Sequence, residues 1–224
     1  MGNTLLTPNQ SHVLERVQKE PELTRRFYLT GGTALSAFYL HHRLSYDLDF
    51  FTEKAEVDQL AIEAFLKKIS SELSIARIKR SQFLGLFSYV LVFTNQEELK
   101  IDFSYYPFPR IQKGTMYKNL EIDSIYDIAV NKLHTIFMKP RSRDYLDLYF
   151  IMKTYTYPLD KLILDAKAKF DWDIDHITLA SQFMKVKDFD ESSLILVPFD
   201  KKEMEEFFLN LAKSLERDIF RSRK

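Results

Sequence analysis

The sequence predicts an α+β protein, with a mixed-sheet lobe over residues 1–115 followed by an α-helical lobe over 116–224. Three observations predict it. Between residues 27 and 106, five apolar runs of strand length are bounded by turn residues and interleaved with two helix-period segments. After Pro107 and Pro109 the pattern changes, and from Ser124 onward the apolar repeats have helical spacing. No internal repeat or low-complexity tract suggests another division.

The elements follow in order. An opening helix is expected over 8–19, with Thr7 as N-cap and Pro8 in the first turn. "FYLT" (27–30) reads as a strand running into Gly31-Gly32, and "TALSAFYLHH" as a helix ended by "RLSY". "DLDFF" is the next strand, with a helix from about 58 to 70 after it. Three strands come next, at 74–82, 86–94 and 98–106, and the polar "NQEE" makes the last two an antiparallel hairpin. Helices are expected at 124–139, 142–153, 159–170, 175–185 and 201–220, the last ending in a basic tail read as solvated. Phe27, Phe38 and Phe50 are expected in the core.

Composition excludes some classes of function. Lys+Arg and Asp+Glu are balanced at 32 each, so attraction to a polyanion has to come from a local patch. There is no cysteine, which removes disulfides and thiolate metal sites and leaves the redox compartment open. "MGNTLLTPNQ" lacks the pattern of a secretory leader, and no apolar run approaches membrane-spanning length. A cytoplasmic protein without a membrane partner is the expectation.

Chemistry concentrates in two places. Side chains alternate along a strand, so Asp47 and Asp49 face one way while Leu48 and Phe50 face the other. Carboxylates that close repel, and a fold tolerates them more easily around a cation. In "KIDF", Asp102 is a third acid flanked by apolar neighbours. Hard oxygen ligands suit Mg2+ or Mn2+, and the missing His/Cys set argues against zinc. Gly31-Gly32, with Thr33 at the start of a helix, is either a tight turn or a place where backbone N–H groups meet phosphate. P-loop and dinucleotide-binding glycine motifs are absent. His41, His42 and His134 belong to no metal-binding spacing.

In "SIYDIAVNKLHTIFMK", positions 125, 128, 129, 132, 133, 136 and 137 form one stripe, apolar except for Lys132. In "SRDYLDLYFIMK", Asp144 falls between Leu148 and Ile151 on the helical wheel, with Asp147 at the edge of that arc. Either a buried Lys–Asp pair joins the two helices, or Lys132 is aimed at a triphosphate and oriented by the aspartates. On the phosphate reading, Lys132→Met should keep or raise stability, because the stripe becomes fully apolar. The link "KPRSR" gathers Lys139, Arg141 and Arg143, either as a solvated loop or as a local basic surface.

A glycine pair with a hydroxyl, a helix, Asp-hydrophobic-Asp and a later strand Asp resembles the nucleotidyltransferase superfamily that includes DNA polymerase β. "TGGTALSAFYLHHRLSYDLDFF", "KIDF" and "DIAVNKLHTIFMKPRSRDYLDLYFI" are more closely similar to the AbiEii/AbiGii toxin family, from about residue 26 to 153. The resemblance implies a nucleotidyltransferase-like fold with its active site in the cleft between the lobes. It implies that Gly31, Gly32 and Thr33 hold a triphosphate, that Asp47, Asp49 and Asp102 bind metal, and that Lys132, Asp144 and Asp147 complete the site. It further implies two Mg2+ (or Mn2+) ions, an NTP, an RNA acceptor such as a tRNA 3′ end, and a cognate antitoxin in a toxin–antitoxin or phage-defence pair. Lys139, Arg141 and Arg143 are the expected acceptor contacts. A non-catalytic nucleotide- or RNA-binding module and a phosphotransferase acting on a protein hydroxyl are the alternatives.

Overall fold

The computed structural model describes residues 5–54, 56–188 and 195–221, with side chains described to Leu215. The chain divides into two compact units, Met1–Pro109 with Lys113–Ser124, and Arg110–Gln112 with Ile125–Lys224. Among the described residues no helix is long and apolar enough to cross a membrane.

The first unit opens with α1 (Pro8–Val17), where Thr7 and Gln10 form a reciprocal capping box, followed by the single turn α2 (Pro21–Thr24). Strand β1 (Tyr28–Thr30) leads straight into α3 (Gly31–Leu35), which continues as a π-helical turn over Ser36–Leu40 and stops at a left-handed His41. Strand β2 (Leu48–Thr52) and helix α4 (Gln59–Ser70), capped by Asp58, come next. Strands β3 (Ile75–Phe83), β4 (Leu86–Phe93) and β5 (Glu98–Tyr105) form an antiparallel meander. Two strands, β6 (Thr115–Tyr117) and β7 (Leu120–Ile122), stand where the hydrophobic pattern predicts no element. Three residues each are too few to show a period of two. Among the described residues the sheet has seven strands, ordered β3-β4-β5-β2-β1-β7-β6.

Two pairings make the sheet mixed: β2 runs parallel to β5, and β1 runs parallel to β7. A parallel neighbour requires a long crossover, which α4, β3 and β4 supply between β2 and β5. One sheet face carries Leu48 and Phe50 beside Ile101 and Phe103, all essentially inaccessible. Phe50 stacks on Phe103 at 5.1 Å, and Phe27 meets the same ring edge-on at 5.1 Å. Phe38, expected in the core, is only half-buried and packs against Tyr117.

The second unit holds α5 (Ile125–Met138), α6 (Ser142–Thr154), α7 (Leu159–Phe170), α8 (His176–Met184), a 3-10 turn (Lys185–Asp188) and α9 (Lys201–Arg221). The stripe Ile125, Ile128, Ala129, Leu133, Ile136 and Phe137 is buried as its spacing requires. Phe183 of α8 and Tyr145 of α6 both pack on Phe208 of α9. The basic tail starts at Lys213, and its side chains beyond Leu215 are outside the described residues.

One ion pair of this unit has no signature in the hydrophobic pattern. Asp127 is fully buried and bonded to Lys169 at 2.8 Å, and it also accepts the backbone N–H groups of Ile111 and Gln112 at 2.8 and 2.9 Å. It thereby fastens Arg110–Gln112 to the helices. Removing one partner of a buried pair leaves a charge without compensation. Asp127→Ala should therefore lower unfolding stability by about 3–5 kcal/mol, read from urea denaturation. Wild-type stability in that variant would contradict the assigned role.

Candidate active site

The acids of the first unit are brought together by strand register. Asp49 sits opposite Thr30 of β1 on one side and beside Asp102 of β5 on the other. Asp47 immediately precedes β2 and, two residues before Asp49, shares its face. Thus the core-bearing and acid-bearing faces separate as the alternation predicts.

The turn into α3 is shaped around these acids. Gly31 adopts φ +73°, and a Cβ there would run into the Asp49 carboxylate. At Gly32 a Cβ would collide with the guanidinium of Arg43, an arginine with only 1% of its surface exposed. Arg43 donates to the Leu44 carbonyl at 2.9 Å, and Gln10 ties the Ser45 carbonyl to α1 at 2.9 Å. Thr33, expected to offer its hydroxyl to phosphate, is buried and donates instead to the main-chain carbonyl of Asp47. It fixes the approach to β2.

Asp102 is held at both oxygens. Ser88 of β4 donates to Oδ1 at 2.5 Å and Lys100 to Oδ2 at 2.5 Å. Burial pulls the Lys100 ammonium down, but the hydrogen bond and charge of Asp102, and then the charges of Asp47 and Asp49, outweigh it and raise it. Lys100 therefore feels all three acids.

In the second unit Lys132 is 9% exposed, and its ammonium contacts Asp144 at 2.8 Å and Asp147 at 2.7 Å, both fully buried. Arg141 adds a two-pronged contact to Asp144, at 2.9 and 3.2 Å. Burial opposes ionisation of Asp144, but the charge of Lys132 and then the bond from Arg141 dominate and hold it below the usual carboxylate range. Arg141 is thus already engaged by a carboxylate. Lys139 and Arg143 are exposed and make no ion pair with described residues.

The model of the nucleotidyl transferase AbiEii toxin family, a type IV toxin–antitoxin system, matches residues 12–220. The chain belongs to this family. It is a nucleotidyltransferase of the AbiEii type. Protein aq_aa25 of Aquifex aeolicus is 28% identical over 211 residues, covering 93% of this chain and 96% of that relative. Among solved structures, JHP933 from Helicobacter pylori is similar with a TM-score of 0.59 at 22% identity, over 96% of this chain and 94% of that one. MenT4, a nucleotidyltransferase toxin of Mycobacterium tuberculosis H37Rv, gives a TM-score of 0.50 at 16% identity, over 86% and 76%. At such identities these two structures speak to the fold.

The donor chemistry of this AbiEii-family chain fits a hard divalent cation. Asp47 and Asp49 offer carboxylate oxygens, that of Asp49 beside a glycine too crowded for a Cβ, and the Lys100 ammonium already stands as a positive charge felt by all three acids. Asp102 differs from the expected free ligand, because Ser88 and Lys100 engage both its oxygens. Among the described residues no three His, Cys, Asp or Glu side chains converge as a finished ligand set. Sequence reasoning missed Ser88, Lys100 and Arg43. Register could have found Ser88, which pairs with Asp102, whereas nothing in the sequence marks Arg43 as buried.

The buried cluster reverses the expectation for Lys132→Met. A methionine would complete the stripe but strip the shared cation from two fully buried carboxylates. We expect a loss of about 3–5 kcal/mol at pH 7 in chemical denaturation. The pH dependence has a definite sign. A carboxyl held below its unfolded value, about 3.9, adds stability above that pH and loses it as pH falls through the folded value. Wild-type melting should thus drop only below about pH 4, and that of Lys132→Met from higher pH. Coincident profiles would contradict the pairing.

Proposed function

We propose that this chain is a metal-dependent enzyme that transfers a nucleotide from an NTP to an RNA hydroxyl, a tRNA 3′ end in the first instance. In this reading it acts as the toxin of a pair with a cognate antitoxin in phage defence. The observation that carries the reading is the register of Asp49 with Asp102, beside a Gly31 backbone that touches Asp49. Family membership supports the NTP and the antitoxin, and hard-oxygen chemistry supports Mg2+ or Mn2+.

Asp47 and Asp49 would hold the metal, with Asp102 as the third acid. When bound, such an ion neutralises developing phosphate charge and orients the attacking and leaving oxygens. The Gly31-Gly32 turn presents backbone to the triphosphate, and Thr33 positions Asp47 rather than touching the ligand. Asp102 orients the acceptor hydroxyl and receives its proton. Lys132, its ammonium fixed by Asp144 and Asp147 with Arg141 holding Asp144, is a positioning group of the second unit. Lys139 and Arg143 are left as acceptor contacts.

Incorporation of labelled NTP into RNA, with the product identified by mass, tests the reading. Asp49→Asn should lower transfer at least about a thousandfold while leaving melting unchanged or higher, since a repelling charge is lost. Near wild-type incorporation would refute the metal assignment, and a phosphate rather than a nucleotide adduct would refute the reaction.

The acceptor is tested separately. Replacing Lys139 and Arg143 together should flatten the log–log salt dependence of RNA binding by about two units, one per lost phosphate contact. An unchanged slope and affinity would remove this loop from the acceptor site.

A further inference from the structure

We propose that Lys100 is a resident cation of the acidic site, holding Asp102 until a divalent metal ion takes its place. This rests on the reading of Asp47, Asp49 and Asp102 as the metal-binding acids. Its first support is charge. Register sets Asp49 beside Asp102, and Asp47 lies two residues before Asp49 on the same face, so three carboxylates share one side of this part of the sheet. Without a counter-charge they repel. The same strand supplies one, because Lys100 lies two residues before Asp102 and therefore on its face.

The second support is the asymmetry of the pair. The Asp102 side chain is 10% exposed, with its other oxygen fixed by Ser88, whereas the Lys100 side chain is 42% exposed. The carboxylate is anchored and the ammonium is not. A lysine on an open four-carbon stem can leave for solvent at small cost. Lys132 in the second unit is the contrasting case, buried and gripped by two carboxylates. Lys100 is placed to be exchanged.

The consequence is competition. Lys100 keeps the metal-free acids compatible with a folded sheet, and its charge opposes any divalent ion that enters. Metal affinity is then set partly by the cost of moving Lys100 away from Asp102.

Mn2+ binding to the full chain, read from the paramagnetic resonance of free Mn2+, tests this without reference to turnover. Lys100→Met should bind Mn2+ at least about tenfold more tightly than wild type, since an opposing unit charge at hydrogen-bonding distance is removed. Its metal-free melting temperature should fall and its Mn2+-induced rise should be larger. Lys100→Gln serves as a second neutral variant should the methionine fail to fold, and Lys100→Arg, which keeps the charge, should bind as weakly as wild type. Equal or weaker binding by the neutral variants would overturn the role of Lys100 while leaving the metal reading in place. No Mn2+ binding by wild type and neutral variants alike would overturn both.

Discussion

The parallel pairing of β2 with β5 is the constraint on which the first unit depends. It sets one carboxylate beside another, and the surrounding choices answer the resulting repulsion or crowding. Gly31 is a glycine because the Asp49 carboxylate fills the space of a Cβ. Thr33 spends its hydroxyl on the Asp47 main chain, Ser88 reaches Asp102 across the hairpin, and Lys100 brings the compensating charge. The opposite face bears none of this tension, and its stacked Phe50 and Phe103 supply the apolar burial that keeps the strands in register.

The two units handle excess negative charge in different ways. In the second, Asp144 and Asp147 are fully buried and share Lys132, with Arg141 as a further donor, so the cluster is closed and well satisfied. Such a network contributes positional definition more than net stability, since desolvation consumes much of the attraction. In the first unit Asp47 and Asp49 stay partly accessible, and buried Asp102 is paired with Lys100, whose side chain is 42% exposed. The first arrangement leaves carboxylates within reach of solvent, whereas the second closes them off.

Much of this was legible in the sequence. Alternation separated Asp47 and Asp49 from Leu48 and Phe50, and helical spacing singled out Lys132 as the one charge in an apolar stripe. Both work because side-chain direction follows backbone period with little tertiary input. The spacing left the meaning of Lys132 open, because a lysine among apolar positions has the same pattern whether it meets a phosphate or a carboxylate. The resemblance puts Thr33 on the triphosphate while its hydroxyl donates to the Asp47 carbonyl, and a hydroxyl at a helix start has the same sequence signature whether it serves a ligand or a neighbouring loop. Asp127 and Lys169, 42 residues apart, belong to no local pattern, so their pairing needed the folded helices.

The order of strands also governs when the acidic cluster can exist. Asp47 and Asp49 arrive early in the chain, but Asp102 reaches them only after α4, β3 and β4 have been laid down and β5 has slotted between β4 and β2. β1 gains its outer neighbour later still, when residues 120–122 return beside it. Long-range parallel pairing of this kind forms slowly, since a large loop must close before any contact rewards it. A chain emerging from the ribosome therefore carries Asp47 and Asp49 apart from Asp102 until β5 has been made and paired with β2.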